Sequence, residues 1–304
     1  MRRQQLRPPA TGRFAPSPTG DLHFGSLLAA VASYLQAKSC GGQWLVRIED
    51  IDPPREVAGS ATRILRDLQR FGLRSDLPVL YQSTRYAAYR AALEKLLHRG
   101  LAFRCGCSRA DLPRSGVYPG TCRNGLRPGK HARTVRLRVP SQPVSFTDQV
   151  QGNIEECLAE TVGDFVLWRA DDLPAYQLAV VIDDEFQQVT QVVRGADLLT
   201  STARQIHLQQ CLNLPVPTYA HYPVVNGADG RKLSKRLSSD PIATTEPAPA
   251  LAAALRFLGQ PCPGGLDLDQ TWRWAGEHWR LSQIPRKNPA PAAAQPVSDS
   301  GSSR

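Results

Sequence analysis

Four short stretches hold side chains whose types and spacing could do chemistry. The first, 12-GRFAPSPTGDLHFGS-26, sets His23, Gly25 and Ser26 just behind a Pro- and Gly-broken turn. A turn that opens into a helix offers free backbone N–H groups and the positive end of a helix dipole, which suit phosphate. The stretch is neither the dinucleotide glycine fingerprint nor a Walker loop, so those mechanisms do not apply. The second, 45-LVRIEDIDPPR-55, ends an apolar run in Glu49, Asp50 and Asp52. A carboxylate at the carboxyl end of a strand can hold the ammonium group of an amino acid; solvation, or pairing with Arg47 and Arg55, is the plain alternative. The third, 105-CGCSRADLPRSGVYPGTC-122, supplies Cys105, Cys107 and Cys122. Three thiolates suit zinc, which takes four ligands in a closed structural site. Tyr118, Asp111 and His131 are all open as the fourth. The last stretch, 231-RKLSKR-236, has four cations in six residues, and by itself reads as a solvated face.

These residues need elements to position them. GRFAP reads as a short strand. From Asp21 onward Leu22, Leu27, Leu28, Val31, Tyr34 and Leu35 fall at helical spacing, with His23 in the first turn. Gly41-Gly42 ends that helix, and QWLVRIED follows as a buried strand. Strand, helix and strand within about 40 residues predict a βαβ unit with parallel strands. A second helix is expected over 56–72, after Pro53-Pro54. Residues 101–165 break the rhythm with Cys, Gly, Pro and Arg, and read as an insertion. The α/β rhythm resumes over 166–240 with YQLAVVIDD, FQQVTQVVRG, a helix from about Thr202 and the strand TYAHYPVV. Helices over 248–258 and 268–284 make a small helical part within 241–286. Residues 1–10 and 287–304 read as a disordered leader and tail by composition.

The apolar content, 41%, is that of a folded globular chain, and the net charge of +10 points to a polyanion partner, most simply nucleic acid. Seven cysteines, an odd number with four of them scattered, argue against a disulfide framework. No run approaches the ~20 apolar residues of a membrane span, and the N-terminus has no apolar signal core. A cytoplasmic protein with no membrane partner is expected.

Taken in order, the stretches resemble the class I aminoacyl-tRNA synthetases, and more closely their glutamyl form. The first string is similar to that form's R-F-A-P-S-P-T-G-x-L-H-x-G signature, with Ser26 where the family's last His stands. KLSKR is similar to the second signature, K-M-S-K-S, with Leu233 for Met and Arg236 for the final Ser. The fold class implied is α/β, a Rossmann-like doubly wound parallel sheet, first half 11–100, with a zinc-bearing insertion and a short helical C-terminal part. The resemblance implies His23 and Lys235 as catalytic residues and His23, Gly25, Ser26, Lys232 and Lys235 as ATP contacts, with Mg²⁺ accompanying ATP. It implies Arg13, Phe14, Ala15, Pro16, Ser17, Glu49, Tyr176 and Arg194 as contacts to L-glutamate. Two arginines and one glutamate answer the two carboxylates and one ammonium of that substrate.

The cysteine pattern resembles the glutamyl-queuosine branch of the family, which implies Tyr118 as the fourth ligand to one structural Zn²⁺ per chain. About 68 residues follow Arg236, fewer than a helical anticodon-binding domain needs, and this also fits that branch. The implied partner is tRNA(Asp) bearing queuosine at its wobble position, with the protein acting as a monomer. Two other readings remain open here: a minimal glutamyl-tRNA synthetase charging the tRNA 3′ end, and a non-catalytic zinc-containing RNA-binding module.

Overall fold

The structure is a computed structural model that describes residues 10–224 and 241–286. The expected leader, tail and KLSKR loop lie outside the described residues, apart from Ala10 at the leader's end.

Residues 11–48 build the start of the sheet: β1 (Thr11–Phe14), α1 (Phe24–Ser39) and β2 (Gln43–Ile48). β1 and β2 are parallel, pairing Arg13 with Leu45 and Phe14 with Val46. α1 is rich in Ala and Leu, has no proline, and buries Leu27, Leu28, Ala30, Val31, Ala32 and Leu35. His23 lies one residue outside it, as the N-cap, instead of within the first turn. At the other end Gly42 lets β1 and β2 begin side by side. A Cβ there would stand 2.0 Å from the Ala10 carbonyl oxygen.

The next helix, α2 (Ser60–Arg70), is shorter than the expected 56–72 because Gly59, at its N-cap, takes a left-handed conformation with φ of 74°. β3 (Leu80–Tyr81) pairs with β2, and α3 (Tyr86–His98) leads into the insertion. Its β4 (Ala102–Cys105) and β5 (Thr134–Leu137) form an antiparallel three-stranded sheet with β8 (Val166–Trp168), just past its end. β6 (Val144–Asp148) and β7 (Gly152–Glu156) do not join that small sheet. They form a hairpin, and β6 runs parallel to β10 of the central sheet. A short helix, α4 (Leu158–Thr161), links β7 to β8.

YQLAVVIDD is α5 (Tyr176–Phe186), followed by β9 (Gln191–Gly195), α6 (Leu199–Leu212) and β10 (Thr218–Tyr222). β9 and β10 are parallel, pairing Arg194 with His221. β9 lies beside β1, since the Thr190 N–H donates to the Thr11 carbonyl at 2.9 Å. The strands therefore run in the order β3-β2-β1-β9-β10-β6-β7. Successive side chains point to opposite faces. Phe14, Val46, Val193 and Ala220 join α1 in one core, while Val192 and Tyr219 join α5 and α6 in the other. The connection from β1 crosses one face and that from β9 the other, so the chain switches direction between these two strands. In such sheets the ligand crevice lies at that point.

α7 (Pro247–Phe257) and α8 (Leu268–His278) pack on the α1 side. Trp279 Nε1 donates to Gln36 Oε1 of α1 at 2.9 Å. α8 stops short of the expected 284 because Trp279 turns extended. No helix among the described residues is long and apolar enough to cross a membrane.

Gly42→Ala should separate the starts of β1 and β2 and cost about 1–3 kcal/mol, read as a lowered urea midpoint with unchanged slope. An unchanged midpoint would show that the close approach is dispensable.

Candidate active site

A cleft of about 410 Å³ opens at the carboxyl ends of β1, β2 and β9. Arg13 and Phe14 end β1, and Ala15, Pro16 and Ser17 follow in the loop. His23, Gly25 and Ser26 lie at the head of α1. Glu49 is the first residue past β2, Tyr176 opens α5, and Arg194 sits in β9. All of them line this one cleft. Lys232 and Lys235 fall outside the described residues. Asp50 and Asp52 turn away from it: Asp50 accepts from the Ser83 N–H and hydroxyl, and Asp52 pairs with Arg55 and Arg169.

At the α1 end, His23 Nδ1 accepts a hydrogen bond from the Ser26 N–H at 3.3 Å. That leaves the proton on Nε2, as a donor free for the cleft. Desolvation lowers the pKa of His23, which favours this neutral form. Gly25 has a second use here, since a Cβ would stand 3.0 Å from the His23 ring.

Deeper in, charge is buried. Arg13, Glu49 and Arg194 are each less than a tenth exposed, and Arg47 is fully buried behind them. Asp184 of α5 carries two of these arginines: Arg13 Nε lies 3.3 Å and Arg47 Nη1 2.8 Å from its Oδ1. Burial works against the Asp184 anion, but Arg13 and Arg47 outweigh it and hold its pKa below the ordinary value. Arg47 Nη2 stands 3.6 Å from Glu49 Oε1. For Glu49 desolvation wins over the two arginines, and its pKa is pushed up to about 7. Arg194 gives Nε to His221 and Nη2 to Thr202 and Gln205, leaving Nη1 buried without a partner among the described residues. Among the described residues Arg13 likewise gives only its Nε to protein. Two guanidinium edges, and a carboxylate that Arg47 approaches only to 3.6 Å, thus suit a small zwitterion with an extra carboxylate.

The sequence reading missed Arg47, Asp184 and His221 as parts of the site. An arginine inside an apolar strand and two adjacent acids closing YQLAVVIDD were the available signals. Asp183 serves another purpose, accepting from Tyr89, Gln82 and Arg85 and tying α5 to α3.

A separate cluster gathers in the insertion. The thiols of Cys105, Cys107 and Cys122 lie within 4.8 Å of one another, and neither Asp111 nor His131 joins them. Asp111 is engaged by the Ser108 N–H and hydroxyl, both at 2.7 Å. The Tyr118 hydroxyl lies 3.4 Å from Cys105 Sγ and 3.9 Å from Cys107 Sγ. Cys107 and Cys122 Sγ are 3.7 Å apart. A tetrahedral metal with bonds of about 2.3 Å to sulfur holds its sulfurs about 3.8 Å apart, so these spacings suit one. The Tyr118 oxygen also accepts from the Cys122 N–H at 2.8 Å, which fixes its place. All seven cysteines are free thiols.

The chain matches the family model of tRNA synthetases class I (E and Q), catalytic domain, over residues 10–115 and 120–246. It is 51% identical to the glutamyl-Q tRNA(Asp) synthetase of Dechloromonas aromatica, covering 93% of this chain and 98% of that protein. It is 52% identical to the protein of the same name from Geobacter sulfurreducens, covering 92% and 95%. Among solved structures it superimposes on the glutamate-tRNA synthetase of Elizabethkingia anophelis with a TM-score of 0.79 at 25% identity, covering 94% of this chain and 68% of that one. A glutamate tRNA ligase from Elizabethkingia meningosepticum gives 0.78 at 23% identity, covering 92% and 66%, a likeness of fold. The chain belongs to the class I tRNA synthetases of the glutamate and glutamine type and, within them, to the glutamyl-Q tRNA(Asp) synthetase family.

The raised pKa of Glu49 has a stability consequence. The carboxyl ionises near pH 7 in the fold and near 4.5 in the unfolded chain, so the unfolded state loses its proton first. Folded stability therefore falls as pH rises from about 4.5 to about 7. Glu49→Gln should raise the melting temperature above pH 7, by the equivalent of about 3 kcal/mol, and much less at pH 5. A stability gain that is flat with pH would contradict the desolvation account.

Proposed function

We propose that the protein activates L-glutamate with ATP and transfers the glutamyl group to the queuosine base at the wobble position of tRNA(Asp). The observation that carries this is the cleft itself, where free edges of Arg13 and Arg194 and the carboxylate of Glu49 converge beside His23. The name shared by relatives at about half identity over nearly their whole length supports the choice of acceptor.

In the first step the substrate α-carboxylate attacks the α-phosphorus of ATP. A new C–O–P bond forms, the bond to the β-phosphate oxygen breaks, and pyrophosphate leaves. A carboxylate is already a nucleophile at neutral pH, so no general base is needed. Catalysis is positioning and charge stabilisation. Glu49 holds the ammonium group, Arg13 and Arg194 hold the carboxylates, and Tyr176 closes the floor. His23 Nε2–H and the α1 N-terminus, with Gly25 and Ser26, face the phosphates. Lys232 and Lys235, outside the described residues, are assigned to the leaving pyrophosphate by the KLSKR pattern. Mg²⁺ accompanying ATP would supply further positive charge to the phosphates. In the second step a hydroxyl of the modified base attacks the activated carbonyl, forming an ester and releasing AMP.

The RNA partner has support in the charge. Residues 101–140, the first part of the insertion, hold nine Lys and Arg against one Asp, a local excess of positive charge. Arg104, Arg114, Arg127 and Arg133 are exposed there, and no ion pair engages them among the described residues. Such cations suit a phosphate backbone. The insertion has little core of its own. A zinc ion held by Cys105, Cys107, Cys122 and Tyr118 would staple it, in a closed structural site. We take the protein to act as a cytoplasmic monomer.

Incubation with labelled glutamate, ATP and tRNA(Asp), with and without queuosine, tests the reading. Label is expected in the anticodon-loop fragment after nuclease digestion, and only with queuosine present. Label on the 3′-terminal nucleoside would mean ordinary charging, and no label anywhere would end the proposal. Cys105→Ser should lose one equivalent of zinc by mass spectrometry or metal analysis and melt several degrees lower. Tyr118→Phe should retain zinc more weakly against a chelator. Wild-type metal content in Cys105→Ser would sink the zinc assignment.

A further inference from the structure

Arg194 is held by a residue that never touches the cleft. His221 of β10 is fully buried, as is Asp148 of β6, and neither lines the cavity. Arg194 Nε donates to His221 Nε2 at 2.9 Å. A guanidinium has donors only, so His221 Nε2 must be the bare nitrogen. The ring proton is then on Nδ1, which donates to Asp148 Oδ2 at 2.6 Å. Asp148 in turn is fixed by three backbone donors to its Oδ1: His221 at 3.1 Å, Val150 at 3.0 Å and Gln151 at 2.8 Å. With Thr202 and Gln205 taking Nη2, the donor end of Arg194 left unbonded among the described residues is Nη1.

We infer that His221, locked in its Nδ1–H tautomer by Asp148, is a positioning residue that aims Arg194 Nη1 at the substrate carboxylate. This rests on the reading of the cleft as the glutamate site. The opposite tautomer would set an N–H against the Arg194 N–H, and the guanidinium would have to turn out of line. A protonated ring would do the same and add a like charge.

Asp148→Asn separates this from a merely structural role. The three backbone donors keep the amide oxygen where Oδ1 now lies, so the NH₂ faces His221 Nδ1. The imidazole must then accept there and carry its proton on Nε2, toward Arg194. In glutamate-dependent pyrophosphate exchange with tRNA present, Asp148→Asn should raise KM for glutamate about tenfold or more, with KM for ATP unchanged. His221→Gln, which keeps an acceptor toward Arg194, should stay within about threefold of wild type. Wild-type glutamate KM in Asp148→Asn would overturn the inference. So would a loss that falls equally on glutamate, ATP and kcat. A reading free of variants comes from ¹⁵N-histidine NMR of the wild-type protein at pH 7.5. An Nδ1-protonated, Nε2-accepting ring is expected for His221, and an Nε2–H or doubly protonated ring overturns the inference. No exchange at all in the wild-type protein would strike the proposed function instead, since the tautomer is read without substrate.

Discussion

The site depends on one buried carboxylate. Asp184 reaches from α5 under the sheet and meets Arg13 of β1 and Arg47 of β2 at once. Without it Arg13 would lose its ion pair and Arg47 would keep only the longer one to Glu49, and a lone buried charge is far costlier than a paired one. Such a cluster adds little net stability, because desolvating the charges offsets much of their attraction. What it does is fix where charge lies. Arg13 is held by Nε with no partner for its other edge among the described residues, and Arg47 stands behind Glu49, offsetting part of the cost of ionising a carboxylate in a nearly dry pocket.

The sheet order puts these groups together. β1 and β9 neighbour each other while their connections leave over opposite faces, so their carboxyl ends part and leave a crevice. Arg13 comes from one side of that crevice and Arg194 from the other. The β6–β7 hairpin belongs to the same arrangement. It looks like part of the insertion in the chain, yet it extends the central sheet through β10 and delivers Asp148 to His221. A segment from the insertion thus supports the residue that supports Arg194.

The cysteine cluster follows a different logic. The small β4-β5-β8 sheet carries a long irregular stretch between β4 and β5, and few of its side chains are apolar. Gathering three thiols and the Tyr118 hydroxyl at one point gives that stretch a fixed centre. Arg136 lies over the Tyr118 ring at 4.0 Å and ties the cluster to β5. The exposed arginines around it are then displayed from a shaped surface instead of a loose loop.

Much of this was legible in the sequence. The βαβ start, the helix head at His23, the two arginines and the glutamate, and the thiol spacing are all local patterns, and local patterns survive without knowledge of the fold. Other features depended on distant contacts. The β-branched run in YQLAVVIDD gives no sign that it is a helix whose last acid lies beneath β1. His221 looks like one aromatic among several in TYAHYPVV. The 144–156 hairpin is indistinguishable from the rest of the insertion until β10 lies beside it. The chain therefore determined which chemical groups the site holds, because side-chain identity is written residue by residue. Which groups are buried, and which atoms are left free for a ligand, was decided only by tertiary structure. Desolvation and the choice of hydrogen-bond partner arise between residues as far apart as Arg47 and Asp184, and no local window contains both.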